Sequence, residues 1–434
     1  MSHGSGAQRS VSVGGLARVE GEGSLHVEVR DGVVEEVALD IFEPPRFFEA
    51  LLQGRRADEA PDITARICGI CPVAYQMSAC GAVEDACGVH VERRIADLRR
   101  LLYCGEWIQS HALHVYLLHA PDFLGCADAV ELAERDRAAV ERGLMLKRTG
   151  NLVMETIGGR AVHPVNVRVG GFYSAPSPDS VTALAEPLRR ALDAATATVD
   201  WVAGFTFPDV AGDYRFVSLR SPGRYPVESG RVASSDGLDT SPGGFADMVV
   251  EEHVARSTAL HARIDGRLEY LTGPLARYAL NAAELPPPAR EAAAAAGLGD
   301  VCTNPFRSIV VRAVELVFAC HEALRLVEAY EPPAPPAVEV RPVAGSGTGA
   351  TEAPRGLLLH RYTLDADGVI TGARIVAPTS QNQLTIEGDL RRVVQAGLDL
   401  SDEELTWRCE QAVRNHDPCI SCAAHFLDVA VDGR

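Results

Sequence analysis

The sequence predicts an α+β fold that is mainly helical, with a central bundle of long helices and small β-hairpin sheets near the amino terminus and in the carboxyl-terminal third. Apolar residues recur every three to four positions through several long segments in the middle of the chain, which is typical of helices that bury one face. Apolar and polar residues alternate near both ends, which is typical of strands. With 434 residues, 47% of them hydrophobic, the chain is long enough to bury a large core.

The predicted strands form two hairpins. In the first, alternating apolar residues lie on either side of the Asp31-Gly32 pair, and Asp-Gly favours a tight turn between antiparallel strands. The second has the same pattern around Asp367-Gly368. The alternating residues are Leu25, Val27, Val29, Val37, Leu39 and Ile41 in the first hairpin, and Leu357, Leu359, Ile370 and Ile375 in the second.

Between the hairpins, the periodicity predicts helices, while two segments lack it. Residues 223–244 are predicted to be an extended loop, and the prolines after Glu331 predict a stiff connector. The predicted helices cover residues 73–89, 95–119, 128–147, 180–203, 247–264 and 306–330. We expect a single domain over 1–434, made of a β-hairpin region (1–66), a helical core (67–330), the connector (331–350), a second hairpin with metal ligands (351–425) and a carboxyl-terminal extension (426–434).

Composition excludes several classes of function. Basic residues number 41 against 59 acidic residues, for a formal charge of -18, and such a field repels phosphate backbones, so no nucleic-acid partner is expected. No apolar run approaches the roughly 18 residues that a membrane span requires. Residues 1–15 are polar and lack the apolar stretch of a secretory signal. We therefore expect a cytoplasmic protein without a membrane span.

Four of the cysteines form two pairs that have the spacing of metal ligands. Cys68 and Cys71 form one Cys-x-x-Cys pair, and Cys419 and Cys422 form another. Pro72 suits the first turn of a helix, whose positive end favours the thiolate form of Cys71. The other cysteines lack paired spacing and are interpreted as small buried hydrophobic residues: Cys80, Cys87, Cys104, Cys126, Cys302, Cys320 and Cys409.

The spacing alone leaves the metal open. A structural zinc site is the simplest interpretation and an iron–sulfur cluster the next. Zinc sites usually draw their ligands from compact segments, whereas about 350 residues separate these pairs. A thioredoxin-type redox pair is disfavoured because the expected strand–helix–strand setting is missing. Four converging thiolates would suit nickel, iron, copper(I) or zinc.

Longer strings surround the two pairs, RICGICP over 66–72 and DPCISCAAH over 417–425. Together these strings resemble the paired signatures of nickel-iron hydrogenase large subunits. Further resemblance lies in LARVEGEG over 16–23, EPPRFFE over 43–49, EAPRG over 352–356 and APTSQN over 377–382, so that it spans nearly the whole chain.

The resemblance implies a dinuclear centre held by the four cysteines. Cys68, Cys71, Cys419 and Cys422 would hold nickel, and Cys71 and Cys422 would also bridge to an iron that carries carbon monoxide and cyanide. Dihydrogen is an extremely weak acid, so its cleavage needs a metal to accept the hydride and a base to take the proton. Either Cys68 or Cys419 could be that base, and the resemblance favours Cys419.

Further residues are implied to act around this centre. Glu20 matches a proton-relay glutamate, although an exposed strand carboxylate would look the same. Arg355, preceded by Pro354, would hydrogen-bond a cyanide nitrogen and lie over the open metal position. Asp122 resembles the aspartate that orients this arginine, although a simple helix-end residue is an alternative.

Thr379 or Ser380 would donate to the second cyanide, although Gln381 replaces a more usual tryptophan there. A second metal ion, magnesium or iron, is implied near the carboxyl terminus. Its ligands would be Glu49, His425 and the backbone carbonyl of about Ile375, and an oxygen-rich site of this kind suits a hard cation.

The chain lacks further cysteine series for iron–sulfur wiring and lacks a Gly-x-Gly-x-x-Gly fingerprint, so electrons must leave through another subunit. The resemblance implies an iron–sulfur small subunit. The sequences of the motifs are most similar to those of the cytoplasmic bidirectional NADP-coupled hydrogenases, also called sulfhydrogenases. In that group, a flavin- and NAD(P)-binding diaphorase carries the electrons onward. The resemblance also implies two kinds of maturation partner: nickel-insertion proteins and a protease that removes residues 426–434.

Several alternatives remain at this point. NAD-linked and deazaflavin-linked hydrogenases are close relatives of the NADP-coupled group. A hydrogen sensor would use the same site but signal through a partner. A quinone-site subunit like that of respiratory complex I would share the fold without the metal, but the presence of all four cysteines speaks against it.

Overall fold

The computed structural model describes residues 8–424. The helices are α1 (Phe48–Leu52), α2 (Ala60–Thr64), α3 (Pro72–Ala86), α4 (Arg93–Leu113), α5 (Ala120–Leu124), α6 (Ala129–Arg135), α7 (Arg137–Gly158), α8 (Pro178–Thr182), α9 (Ala185–Ala203), α10 (Pro242–Met248), α11 (Pro274–Asn281), α12 (Pro287–Ala295), α13 (Ser308–Glu328), α14 (Pro378–Ala396), α15 (Asp402–Arg414) and α16 (Ile420–Ala423). The strands are β1 (Gln8–Val13), β2 (Gly23–Arg30), β3 (Val33–Ile41), β4 (Val167–Arg168), β5 (Gly171–Phe172), β6 (Val217–Arg220), β7 (Arg231–Ser234), β8 (Asp239–Thr240), β9 (Val249–Glu252), β10 (His261–Ile264), β11 (Gly345–Ala353), β12 (Gly356–Leu364) and β13 (Ile370–Val376).

The centre of the molecule is a bundle in which α4 packs against α7 and α13, and α13 packs against α9. Helix α13 is buried on nearly every face, and its buried residues include the charged Arg312 and Glu315. Trp107 of α4 and Val314 of α13 are fully buried in this core. The mainly helical α+β fold and the predicted helices over 95–119 and 306–330 are confirmed, and the first of them continues past α4 as a π-helical turn, His114–His119.

Small antiparallel sheets surround the bundle. Three of them have three strands, in the orders β1-β2-β3, β6-β7-β8 and β11-β12-β13, and two have two strands, β4-β5 and β9-β10. Both predicted hairpins are confirmed as β2-β3 and β12-β13. Asp31 and Gly32 have φ angles of 52° and 76°, as a tight hairpin turn requires.

The packing of α3 on β11 brings two distant parts of the chain together. The backbones approach so closely that a Cβ on Gly349 would lie 2.1 Å from the carbonyl oxygen of Ser78. The Ser78 and Thr351 hydroxyls are hydrogen-bonded at 2.8 Å. Because Cys71 immediately precedes α3 and Arg355 follows β11, this contact places both residues at one end of the bundle.

Four secondary-structure predictions are corrected by the structure. Residues 247–264 do not form one helix. They contain the end of α10 and the β9-β10 hairpin, because Val249, Ala262 and Ile264 pack into one apolar cluster as strand residues. The helix predicted over 128–147 is interrupted at Asp136, whose side chain caps α7 by accepting from the Ala139 amide.

Residues 223–244, predicted as a loop, contain β7 and β8. The connector ends earlier than predicted, since β11 starts at Gly345. Among the described residues, no helix combines the length and the apolar character needed to cross a bilayer.

Candidate metal centre

The first cysteine pair lies in a tight loop between a short 3-10 turn, Ala65–Ile67, and α3. Two side chains of α4 hold this loop. The Glu106 carboxylate accepts from the backbone amides of Val73 at 2.6 Å and Ala74 at 3.1 Å, at the first turn of α3. Gln109, one turn further along α4, donates to the carbonyl of Ile70 at 2.6 Å. The thiols of Cys68 and Cys71 are thus placed by a rigid backbone.

The second pair lies at the start of α16, close to the end of the described chain. The Cys419 amide donates to the Thr379 hydroxyl oxygen at 2.8 Å. The next amide, of Ile420, donates to the carbonyl of Glu20 at 3.0 Å, so that Glu20 and Cys419 pair as a single parallel bridge. The carboxyl-terminal pair is therefore docked on both α14 and the amino-terminal region.

The four sulfur atoms meet in the interior. All lie within 4.8 Å of one another, and all four residues are buried. The Cys68 and Cys419 sulfurs are 3.5 Å apart, those of Cys71 and Cys422 are 3.7 Å apart, and those of Cys419 and Cys422 are in contact. A tetrahedral thiolate site with metal–sulfur bonds of about 2.3 Å has sulfurs about 3.8 Å apart. The donor set therefore fits a nickel-type, sulfur-rich centre.

The local electrostatics separate the two thiols of the first pair. The hydrogen bond with the Cys71 thiol lowers the pKa of Cys68, although burial opposes this. The same interaction and burial raise the pKa of Cys71. Burial also raises the pKa of Glu106 well above the usual range of a carboxyl. The pair of thiols therefore loses its first proton more easily than its second.

Arg355 is buried beside the cysteines and is paired with Asp417. Its Nε donates to the Asp417 carbonyl at 2.9 Å, and its Nη2 donates to the Asp417 carboxylate at 3.2 Å. Its Nη1 is buried with no hydrogen-bond partner among the described residues. Burial acts to lower the pKa of Arg355, but its interactions with Asp417 and with the nearby sulfurs of Cys71 and Cys68 outweigh this effect and keep the guanidinium protonated.

The predicted pairing of Asp122 with Arg355 is wrong. The Asp122 carboxylate accepts from Arg414 at 2.7 and 2.9 Å and from Arg18 at 2.5 Å. Asp417 takes the predicted place as the partner of Arg355. The reason is geometric: the π-helical turn before α5 directs Asp122 to the end of α15, whereas Asp417 comes directly before the Pro418-Cys419 segment beside Arg355.

Glu20 lies next to the second pair. Its Oε2 accepts from the Ser421 amide at 3.1 Å, and its charge contributes to the pKa of Cys68. Pro354 is buried, and its carbonyl accepts from Arg277 at 3.0 Å. Thr379 and Ser380 are also buried, at the first turn of α14.

Two of the residues predicted to bind a second metal ion, Glu49 and Ile375, are in contact. The Glu49 carboxylate accepts from the amide of Ile375 at 2.6 Å, so these two residues are neighbours, but the observed contact uses the N–H group. Burial raises the pKa of Glu49 to about 7, while the Ile375 amide and Arg374 act in the opposite direction. His425 lies outside the described residues.

Sequence reasoning missed four residues that shape the site: Asp417, Glu106, Gln109 and Arg46. Asp417 stands two positions before Cys419, so its place in the motif could have indicated a role. Glu106 and Gln109 lie three residues apart on α4, and that spacing puts them on one helix face.

The unpaired cysteines are buried as predicted, except Cys87, which is half-buried.

Comparisons with known proteins agree with this site. Residues 46–145 match the family model of nickel-dependent hydrogenases. The chain is 33% identical over 421 residues to sulfhydrogenase 1 subunit alpha of Pyrococcus furiosus, covering 96% of this chain and 98% of that protein. It is 27% identical to the NAD-reducing hydrogenase HoxS subunit beta of Cupriavidus necator, covering 96% and 95% of the two chains.

Solved structures give the same result. The NAD+-reducing NiFe hydrogenase in its H2-reduced state superposes with a TM-score of 0.84 at 26% identity, covering 96% of this chain and 99% of that chain. The Ni-Fe-Se hydrogenase of D. vulgaris Hildenborough shares the fold, with a TM-score of 0.78 at 23% identity and coverage of 96% and 100%. The chain therefore belongs to the nickel-dependent hydrogenase family, as a large subunit. It is an oxidoreductase acting on hydrogen, and its cofactor is a Ni-Fe centre that the four-cysteine cluster fits.

Proposed function

We propose that this chain carries out the reversible heterolytic cleavage of H2 and passes the electrons to an iron–sulfur small subunit and on to NADP. The observation that supports it most is the cluster of four buried cysteine sulfurs within 4.8 Å of one another. The similarity to two sulfhydrogenase alpha subunits, at 33% and 32% identity, supports the sulfhydrogenase-type group. NAD-linked relatives make NAD the alternative acceptor.

The protein's part of the reaction is proton handling beside a Lewis acid. When bound, the Ni-Fe centre supplies the Lewis acid that polarises dihydrogen. Cys419 accepts the proton, and Glu20 takes it onward. The backbone bridge to Cys419 and the hydrogen bond from the Ser421 amide support this role of Glu20, because they hold its carboxylate beside the cysteine.

In this proposal, four residues line the cofactor site: Arg355, Pro354, Thr379 and Ser380. The buried Nη1 of Arg355 has no partner among the described residues, and it is available to donate to a cyanide nitrogen. The Thr379 oxygen accepts from the Cys419 amide, which leaves the hydroxyl proton for donation to the second cyanide. These donors would fix the cofactor in one orientation.

A second ion, magnesium or iron, is proposed for Glu49, Ile375 and His425. The raised pKa of Glu49, about 7, supports this proposal. A bound cation would compensate a buried carboxylate that otherwise favours its proton.

The proposed assembly is cytoplasmic and also includes diaphorase subunits. Its proposed maturation partners are nickel-insertion proteins and a protease that removes residues 426–434.

Infrared spectroscopy of the purified, matured complex tests the proposal. We expect stretches of iron-bound carbon monoxide and cyanide, and we expect Cys422→Ser to abolish them because it removes a proposed bridging thiolate. Cys87→Ser is the matched control, since Cys87 is a half-buried free cysteine outside the cluster. Absence of these stretches in matured wild-type protein would overturn the proposal that the chain cleaves H2 at a Ni-Fe centre.

The electron acceptor needs a separate assay. H2-dependent reduction of NADP faster than of NAD would support the sulfhydrogenase-type assignment. Faster reduction of NAD or of a deazaflavin would replace it. Slow turnover with all acceptors, together with a kinase partner, would identify a hydrogen sensor instead.

A further inference from the structure

Ser421, the residue just before Cys422, is held at all three of its polar groups by residues of the amino-terminal region. Its amide donates to the Glu20 carboxylate at 3.1 Å. Its hydroxyl donates to the Glu43 carboxylate at 2.7 Å. Its carbonyl accepts from Nη2 of Arg46 at 2.7 Å. A residue between two metal ligands is thus fixed by three side chains that are nearly 400 positions distant in sequence.

Arg46 also contacts the other ligand segment. The same Nη2 donates to the carbonyl of Ile67 at 2.6 Å, and Ile67 immediately precedes Cys68. The Arg46 backbone amide donates to the carbonyl of Ala424 at 3.1 Å. One guanidinium therefore bridges the residue before Cys68 and the residue before Cys422. Hydrogen bonds from a charged donor are stronger than neutral ones.

The amino-terminal region packs tightly against α16 at Gly21. Gly21, with φ at +91°, lies where a Cβ would come within 2.5 Å of the Glu43 carboxylate and 2.6 Å of Cβ of Ile420. Helix α16 contains only four residues, so it supplies little support of its own. Its position depends on contacts with neighbouring segments, which are α14 on one side and the amino-terminal region on the other.

We infer that Glu43, Arg46 and Ser421, which we call the Ser421 latch, are positioning residues that hold the two cysteine pairs at ligand distance from each other. The inference rests on the proposed function, since it concerns retention of that cofactor. The latch residues act through backbone carbonyls and Ser421, and their role is distinct from proton transfer by Glu20. Loss of the latch would free α16, and with it Cys419 and Cys422, to move away from Cys68 and Cys71.

The first test measures nickel retention in the purified holoenzyme complex. Nickel release into excess EDTA would be followed for the wild type, Arg46→Gln, Arg46→Lys and the control Arg137→Gln. The Arg137 side chain is 84% exposed and is paired with Glu141. We expect Arg46→Gln to release nickel at least about tenfold faster, because it loses charge-assisted bonds to two carbonyls. Arg46→Lys should be intermediate, since a lysine keeps the charge but lacks the planar fork.

The second test separates the latch from general stability. Ser421→Ala and Glu43→Ala each remove one side of the same hydrogen bond, so the double variant should release nickel no faster than the worse single variant. Hydrogen exchange of the Ile420 and Ser421 amides should accelerate in each, while the cyanide stretches broaden.

The outcomes are distinct. Nickel release in Arg46→Gln equal to that in Arg137→Gln, or additive effects of the Ser421 and Glu43 substitutions, would overturn the latch. Failure of the proposed function would appear earlier, as wild-type protein without nickel or without the infrared stretches.

Discussion

The sulfur atoms of Cys68 and Cys419 lie 3.5 Å apart, although 351 positions separate the two residues along the chain. Closing a loop of this length costs conformational entropy. The contacts that offset it are visible around the site: the Glu20 backbone pairs with Ile420, and Arg46 donates to Ile67 and Ser421. The metal site is therefore a product of the docking of the two chain ends.

Asp122 is expected to act on stability through Arg414. Asp122→Asn removes the charged partner at 2.7 and 2.9 Å from the buried Arg414 guanidinium, which keeps the longer pair with Glu410 at 3.6 Å. Breaking a buried pair in this way costs up to about 3–5 kcal/mol. The thermal unfolding midpoint should fall clearly. Asp58→Asn is the control, because the Asp58–Arg56 pair is exposed and exposed pairs contribute little. An unchanged midpoint combined with lower turnover would instead restore a direct role beside Arg355.

Arg355→Lys is expected to lower turnover with little change in metal content. A lysine keeps the positive charge but cannot hold Asp417 with two nitrogens and still present a third to the cofactor. Removing one preorganised donor typically lowers the rate by about 100-fold or more. H2 oxidation with a dye acceptor, normalised to nickel content, measures this. Arg361→Lys, in an exposed pair with Asp247, is the control, and equal rates in the two variants would contradict the role.

Gly21→Ala is expected to disturb the metal site, whereas Gly32→Ala is not. Both glycines have positive φ, so both substitutions strain the backbone. Only at Gly21 would the new Cβ collide with Glu43 and Ile420, since no atom lies within 4 Å of a Cβ at Gly32. Nickel content per purified chain should therefore fall in Gly21→Ala alone. Similar losses in both variants would indicate backbone strain as the sole cause.

Glu352 is expected to make stability depend on pH. It is buried, and desolvation raises its pKa to about 7 despite Arg277 and the Leu219 amide. Between the ordinary value of about 4.5 and 7, the unfolded chain loses this proton while the folded chain keeps it. This contribution to stability is full below pH 4.5, falls as the pH rises to 7 and then stays constant.

The comparison of wild type with Glu352→Gln isolates that contribution. The difference in free energy of unfolding should change by roughly 3 kcal/mol between pH 4.5 and 7, at about 1.4 kcal/mol for each pKa unit. Unfolding midpoints at several pH values measure it. Parallel curves for the two proteins would show that Glu352 does not titrate in this range.

The helices and hairpins that were predicted correctly have strong local patterns. Alternation around Asp31-Gly32 predicted the hairpin of β2 and β3. Its observed register pairs Leu25 with Leu39, and a shift by one residue would expose both side chains. The segment 247–264 failed because its valines fit either period, and only contact with the cluster containing Phe245 and Leu357 made it a hairpin. Local periodicity does not carry that long-range information.

The sequence alone determined the ligand atoms of the site, because the identity and spacing of Cys68, Cys71, Cys419 and Cys422 place two thiols on each of two short turns. Tertiary structure alone decided which charged groups serve that site. Asp417, and not Asp122, pairs with Arg355, and Arg46 connects the two ligand segments. The physical reason is that a carboxylate or guanidinium interacts over a few ångströms, and such proximity depends on how α3, β11 and α16 pack.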